Sequence, residues 1–204
     1  MNSDMRFFYH LLFLLLIMPV GTAAAAQDTL RFSPDGDSEV FFTTDVRIAL
    51  VATSTVKGVN SNIGGTIEWI QSDPRPVIEA RIEIDAAKFD SGNNARDREV
   101  RKLLDVDNFP YITFELESVL GIENKPVTEL NGQYISTGYL TVRGIKKEIS
   151  VPVYMNFTDG ILFIEGSTAA KYTDFGIDPP RVAGFIGRVP DALRLHISIV
   201  AKGV

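Results

Sequence analysis

Cysteine is absent from the sequence. Its absence excludes disulfide bonds, thiolate nucleophiles, cysteine-ligated metals and a lipid attached to a lipoprotein cysteine. A domain without disulfides must be held together by its hydrophobic core. The roughly 178 residues that follow an apolar leader are enough to build one such core, so we expect a single domain.

Histidine is almost as scarce, because only His196 follows the leader. A zinc site of the usual His and Cys kind would lack ligands, and a Ser-His-Asp arrangement would have to recruit this one residue without a G-x-S-x-G elbow. His196 falls on the polar side of an alternating segment. We therefore interpret it as a solvated strand residue rather than a catalytic base.

Basic residues are outnumbered by acidic ones, 20 Lys and Arg against 26 Asp and Glu, which gives a formal net charge of −6. Neutralising phosphates requires a basic face, so this balance argues against a nucleic-acid partner. It argues equally against tight docking on anionic headgroups. Any contact with lipid is expected to come from burial of the tails.

The acidic residues near the middle of the chain keep one enzymatic alternative open. Asp97, Glu99, Asp105 and Asp107 lie close together in sequence, as a pair of catalytic carboxylates would require. Their spacing does not match the D-x-D-x-D-G-x5-E calcium loop, and a solvated helix and loop surface explains them equally well. We predict no enzyme, cofactor or metal, and retain a carboxylate-dependent hydrolase as an alternative.

Long hydrophobic runs are missing except at the start of the chain. Residues 7–20 are almost wholly apolar, follow Arg6 and precede the small residues Ala23 to Ala26. This pattern predicts a cleaved signal peptide over residues 1–26 and a mature domain over 27–204. A membrane anchor is the alternative, but the run is shorter than the ~20 residues of a spanning helix. We expect a periplasmic protein with no stable membrane span after cleavage.

The mature sequence is dominated by apolar residues at every second position, which is typical of strands with one buried face. The alternating segments are 40–42, 46–51, 63–70, 78–84, 112–116, 134–142, 149–157, 161–169 and 193–201. Asn131-Gly132 and Asp159-Gly160 are predicted as hairpin turns, and Gly64-Gly65 as another turn. One helix is predicted at 95–104, capped by Asn93 or Asn94. The pattern predicts an all-β fold, a single antiparallel barrel or sandwich with one short helix.

The interior of such a barrel is either packed solid or able to hold one small ligand. Both interiors need the same alternation, so the pattern does not separate them. On the pattern alone, a filled core is the simpler interpretation.

Four segments, in this order, carry a family resemblance: residues 94–101 (NARDREVR), 107–114 (DNFPYITF), 138–147 (GYLTVRGIKK) and 173–177 (TDFGI). Together they resemble the YceI-like family of exported polyisoprenoid-binding proteins. That family carries R-D-x-H-L-R, a Y/F-P-x-I-x-F strand, a G-x-L-T-I-R-G-V-x-K strand and a D-F-G-I turn. The resemblance extends from Thr29 to Val204.

The resemblance implies a lipocalin-like barrel of about eight strands around an apolar tunnel that holds a polyisoprenoid or similar long apolar lipid. The residues expected to line the tunnel are Ile78, Ile82, Ile112, Phe114, Leu140, Val151, Val153, Phe157, Leu195 and Ile197. Arg96, Arg98 and Arg101 are candidates for contact with a headgroup. An accessory protein with a filled core, docked on a membrane complex, remains the main alternative, and a homodimer is left open.

Three positions depart from the family pattern. Family members usually carry a histidine near Asp45 or Val46, another at the position of Glu99, and an arginine near Lys171. These departures indicate a divergent member, and the sequence leaves open whether its ligand is that of its relatives.

Overall fold

The computed structural model describes residues 28–48, 52–72, 75–122, 125–182 and 187–204. The predicted signal peptide lies outside the described residues. The strands are β1 (Thr29–Pro34), β2 (Glu39–Ile48), β3 (Ala52–Asn60), β4 (Ile63–Ile70), β5 (Val77–Asp85), β6 (Tyr111–Leu120), β7 (Asn131–Val142), β8 (Ile145–Thr158), β9 (Ile161–Ala170), β10 (Arg181–Val182), β11 (Gly187–Arg188) and β12 (Leu193–Gly203). The helix α1 spans Asn94–Leu104, and short 3-10 turns lie at Ala86–Lys88, Val127–Glu129 and Thr173–Phe175.

Eight of these strands close into a barrel. β1, β4, β5, β6, β7, β8, β9 and β12 pair in this order, all antiparallel, and β1 pairs back with β12. The predicted all-β fold with an eight-stranded antiparallel barrel is therefore confirmed. A closed barrel leaves fewer unpaired strand edges, which suits a domain without disulfides.

Strands β2 and β3 extend the barrel wall at one end. β1 pairs with residues 201–203 of β12, and β2 pairs with residues 194–198 of the same strand. The two consecutive strands therefore share one edge of β12. β3 pairs with β2, and a single bridge between Val59 and Asp90 ties it to the segment that leads into α1.

Two predicted turns are wrong. Gly64 and Gly65 lie inside β4, and Asn131 and Gly132 lie inside β7. At Gly65 the glycine serves close backbone approach, because an added Cβ would lie 2.1 Å from the carbonyl oxygen of Arg81. Glycine in a strand often marks such an approach.

The tight hairpin turns are at Asp159-Gly160, as predicted, and at Arg143-Gly144. Both residues of each pair have positive φ, 53° and 79° in the first pair and 51° and 73° in the second. This is the backbone of a type I′ turn. The segment 138–147, expected from the resemblance to form one strand, is therefore split between β7 and β8.

The predicted helix is confirmed, and its ends follow from its sequence. The Asn93 side chain accepts hydrogen bonds from the backbone N–H groups of Ala95 and Arg96, which are unpaired donors of the first turn. The helix stops at Asp105, which adopts the left-handed conformation with φ of 51°. Among the described residues, no helix is long and apolar enough to cross a membrane.

One end of the barrel is packed solid, and we call it the packed half. It contains the end of β4, the start of β7 and the hairpin between β8 and β9. These lie at the same end of the barrel because neighbouring strands run in opposite directions. Its largest fully buried side chains are Trp69, Leu130 and Leu162. The rings of Phe32 and Phe157 meet edge to face with centroids 5.8 Å apart.

Candidate ligand-binding site

The opposite end of the barrel, which we call the hollow half, contains a partly open cavity of about 710 Å³. Its wall is formed by the other ends of six barrel strands, β5 to β9 and β12, together with β2, β3, α1 and the segment that follows β9. Most lining side chains are aliphatic or aromatic. A cavity of this size and character is within the range of sites for small apolar molecules.

The helix contributes one face to the cavity wall. Ala95, Glu99 and Leu103 line the cavity, as do Arg96, Val100 and Leu104. Residues four apart lie on the same side of a helix, so both sets face the same way. α1 thus forms part of the cavity wall.

A compact hydrogen-bond network fixes the start of the helix at this wall. The Arg96 guanidinium donates through Nε to Ser91 Oγ at 2.8 Å and through Nη2 to the Ser91 carbonyl oxygen at 2.7 Å. The buried carboxylate of Asp97 accepts from the Ser91 backbone N–H at 3.0 Å and from its hydroxyl. Arg96 and Asp97, the Arg-Asp pair of the segment 94–101, therefore hold the loop at Ser91 against the start of the helix.

The structure places most of the predicted tunnel residues on the cavity wall. Those that line it are Ile82, Ile112, Phe114, Leu140, Val151, Leu195 and Ile197. Ile78, Val153 and Phe157 instead pack with the packed half. Alternation reports which face of a strand a residue occupies but not its depth along the barrel, so it does not distinguish the two halves. Contact of any of these residues with a ligand stays a prediction.

The three candidate headgroup arginines are separated by the helix geometry. Arg96 lines the cavity, whereas Arg98 is exposed and Arg101 is half-buried outside the lining. Residues 98 and 101 fall off the face formed by residues 95, 99 and 103. A headgroup role for any of the three stays a prediction.

Sequence reasoning missed the hydroxyl groups of the wall. Thr44, Ser54, Ser136, Thr168 and Tyr172 line the cavity. Tyr172 is buried, and this burial raises the pKa of its phenol, although a hydrogen bond with the Thr44 side chain opposes the shift. The phenol is thus neutral near pH 7. Thr44 on β2 and Ser54 on β3 alternate in step with the apolar residues of their strands. This alternation is the sequence signal that could have placed them on the inward face.

The four carboxylates that could have served as catalytic acids have different surroundings. Asp97 is bound by Ser91, Glu99 pairs with Lys102 at 2.8 Å, and Asp105 accepts from the Asn108 side chain at 2.9 Å. Asp107 is exposed. Each is thus engaged in local helix and loop structure or with solvent.

Two of the divergent positions also have local roles. Asp45 Oδ1 accepts a hydrogen bond from the Thr55 hydroxyl at 2.8 Å, across the β2–β3 pair. The backbone N–H of Lys171 donates to Asp174 Oδ2 at 3.0 Å. Asp45 thus ties together two strands of the wall, and Lys171 helps to order the turn Thr173–Phe175, which follows the cavity residue Tyr172.

His196 is stacked rather than free in solvent. Its ring lies parallel to that of Phe41, with centroids 4.2 Å apart, and Lys57 Nζ lies 3.8 Å from the Phe41 centroid. Partial burial lowers the pKa of His196 below 6.5, and the charges of Arg194 and Lys57 lower it further. The imidazole is therefore neutral at pH 7.

We expect the free energy of unfolding to rise between about pH 5 and pH 7 because of His196. Since the folded pKa is lowered, the unfolded chain binds the proton more readily below pH 6.5, and this contribution is lost as the pH falls. Urea unfolding of the wild type and His196→Gln across this range measures the effect. The variant should show a flatter profile, and identical profiles would contradict the assignment.

The closed antiparallel barrel with an apolar cavity in one half places the chain in the class of lipocalin-like β-barrel proteins. The model of the YceI-like domain matches residues 32–201. The chain therefore belongs to the YceI-like family. This confirms the resemblance carried by the four sequence segments.

Solved structures share this fold at low sequence identity. BcnA from Burkholderia cenocepacia is 20% identical, with a TM-score of 0.64, and the match covers 83% of this chain and 99% of that one. The Campylobacter jejuni YCEI protein is 19% identical, with a TM-score of 0.59 and coverages of 76% and 90%. A polyisoprenoid binding domain from Saccharophagus degradans is 11% identical, with a TM-score of 0.58 and coverages of 87% and 100%. A comparison with curated proteins found no match.

Proposed function

We propose that this chain is a non-enzymatic binding protein that holds a polyisoprenoid or similar apolar lipid in the cavity of the hollow half, after export to the periplasm. The observation that carries the proposal is the cavity itself, about 710 Å³ of space behind a mostly apolar wall. The polyisoprenoid binding domain from Saccharophagus degradans, which has the same fold, supports it.

The physical driving force is removal of apolar surface from water. Burying a lipid tail contributes about 25 cal/mol per Å² of apolar area. Ordering a flexible chain opposes binding. The wall is built from paired strands and a capped helix, so the site is formed before the lipid arrives, and little of the protein has to be ordered.

The two alternatives fit the structure less well. An accessory protein with a filled core would have no use for the cavity. A carboxylate-dependent hydrolase would need acids directed at a common substrate, whereas Asp97, Glu99 and Asp105 each contact a different neighbour. Binding alone accounts for the apolar wall.

Solvent extraction and mass spectrometry of the protein purified from a bacterial periplasm test the proposal. We expect an isoprenoid-class lipid at up to one molecule per chain. Leu195→Glu places a carboxylate on the cavity wall and should remove the lipid, because burying an unpaired charge is costly. Arg194→Glu is the matched control, because it introduces the same group at the exposed neighbouring position.

The control variant should carry as much lipid as the wild type. Circular dichroism of both variants establishes that they are folded. Wild-type protein that yields no lipid, and takes up no apolar fluorescent probe after delipidation, would contradict the proposed function.

A further inference from the structure

We propose that the cavity selects an uncharged lipid of about two dozen heavy atoms, whose tail ends against a floor formed by the packed half. The inference rests on the proposed function and specifies the ligand class of that same site. Three observations carry it: the position of the floor, the volume above it and the charges on the wall.

The floor is defined by two neighbouring strands, β7 and β8. Ser136 of β7 and Val151 of β8 are register partners and both line the cavity. The next inward-facing partners, Tyr134 and Val153, are buried in the core and absent from the lining. On these two strands the transition from hollow to packed thus occurs within one pair of residues, whereas on β12 the lining continues to Ile199.

The packing beneath this level blocks further entry. Met155, the next inward residue of β8, is buried, and Leu162 and Trp69 are each 2% exposed. Packed interiors of this kind contain few voids larger than a water molecule. A lipid tail therefore stops at the floor instead of passing through the barrel.

The volume above the floor limits the length of the tail. A heavy atom in a liquid occupies about 30 Å³, the share of one water molecule. The cavity of about 710 Å³ therefore accommodates roughly two dozen heavy atoms, which corresponds to four or five isoprene units. A longer chain must leave part of its apolar surface in water.

Among the residues whose side chains the structure describes, the wall offers no net charge to a headgroup. Its charged members are Arg96 and Glu99, of opposite sign and on the same helix face. Arg96 already donates two hydrogen bonds to Ser91, and Glu99 is paired with Lys102. A phosphate or carboxylate would lose its hydration without an excess of positive charge to replace it.

Neutral polar groups on the wall match an uncharged headgroup instead. Ser54 and Tyr172 carry hydroxyls that can donate or accept a hydrogen bond, and the Thr44 hydroxyl, which donates to the Ala192 carbonyl oxygen at 3.0 Å, can still accept one. A hydroxyl or carbonyl on the ligand needs only one or two such partners. The wall therefore favours an alcohol, ketone or similar lipid over a charged one.

Competition binding to the delipidated full-length protein tests both the limit on tail length and the preference for an uncharged headgroup. The ligands are farnesol, geranylgeraniol and solanesol, alcohols of three, four and nine isoprene units, and geranylgeranyl diphosphate, all delivered from cyclodextrin. Displacement of an apolar fluorescent probe reports affinity. Geranylgeraniol should bind at least about tenfold more tightly than solanesol and than the diphosphate. The part of solanesol that does not fit moves from cyclodextrin into water, and the diphosphate loses its hydration.

Equal or tighter binding of solanesol would overturn the length limit, and equal or tighter binding of the diphosphate would overturn the preference for neutral lipids. Either result would leave the proposed function intact. Failure of all three alcohols to bind would instead overturn the proposed function, and this inference with it.

A bulkier side chain at the floor of the cavity provides a second, independent test, because it should shorten the preferred lipid. Val151→Phe adds bulk at the lowest lining level and should shift the preference from geranylgeraniol to farnesol. Ser150→Phe, on the exposed face of the same strand, is the matched control and should leave the preference unchanged. An unchanged preference in folded Val151→Phe would overturn the position of the floor.

Discussion

Leu162→Ala is expected to lower the free energy of unfolding by about 3–5 kcal/mol, whereas Leu140→Ala should lower it by only about 1–2 kcal/mol. Both side chains are buried, Leu162 with 2% and Leu140 with 8% of its surface exposed. Leu162 lies in the packed half, where truncation leaves a new void. Leu140 faces an existing cavity, so its side chain already lacks neighbours on one side.

Urea unfolding of the delipidated proteins, followed by the fluorescence of Trp69, measures both losses. The residue and the substitution are the same at both positions, so side-chain chemistry does not contribute to the difference. Circular dichroism of the folded states controls for rearrangement of the barrel. Equal losses at the two positions would contradict the division into a packed and a hollow half.

The fold was largely predictable because its strands alternate strongly. On β8, Val151, Val153 and Met155 are buried, whereas Pro152 and Tyr154 are exposed, as the sequence pattern indicates. The helix was predictable because Asn93 provides a cap and residues 95–104 contain no breaker. These signals are local and can be read without knowledge of tertiary contacts.

Strands β1 and β3 were not predicted, because neither contains a long run of alternating apolar residues. β1 is short and ends in Pro34, and β3 combines threonine, serine and lysine with Gly58. Tertiary contacts decide the outcome: a Cβ at Gly58 would lie 2.4 Å from the ring of Phe42. The glycine makes room for an aromatic side chain from the paired strand, and sequence alone does not show this need.

The cavity was only partly predictable for a related reason. Leu140 and Val153 have the same character and obey the same alternation, yet one lines the cavity and the other lies beneath it. Their difference depends on bulky side chains from distant strands, such as Trp69, that fill one end of the barrel. The hydroxyls of Thr44 and Tyr172 meet only after β2 is placed beside the turn that follows β9.

The second large effect is stabilisation by the lipid itself. A ligand present at a hundred times its dissociation constant adds about 2.7 kcal/mol to the free energy of unfolding. For a domain of this size, that corresponds to a rise in Tm of about 5–10 °C. Differential scanning calorimetry of delipidated protein with and without geranylgeraniol measures the rise. Its absence at saturating lipid would contradict binding to the folded barrel.

The same two alanine variants separate stability from binding. Leu162→Ala should unfold at a lower temperature but keep the full rise with lipid, because Leu162 is absent from the cavity lining and lies beneath the floor. Leu140→Ala should unfold nearer the wild-type temperature and keep only about half the rise, since a tenfold weaker affinity removes about 1.4 kcal/mol at fixed lipid concentration. The large stability loss and the large binding loss should therefore fall on different leucines, because one half of the barrel supports the fold and the other half is left open for the lipid.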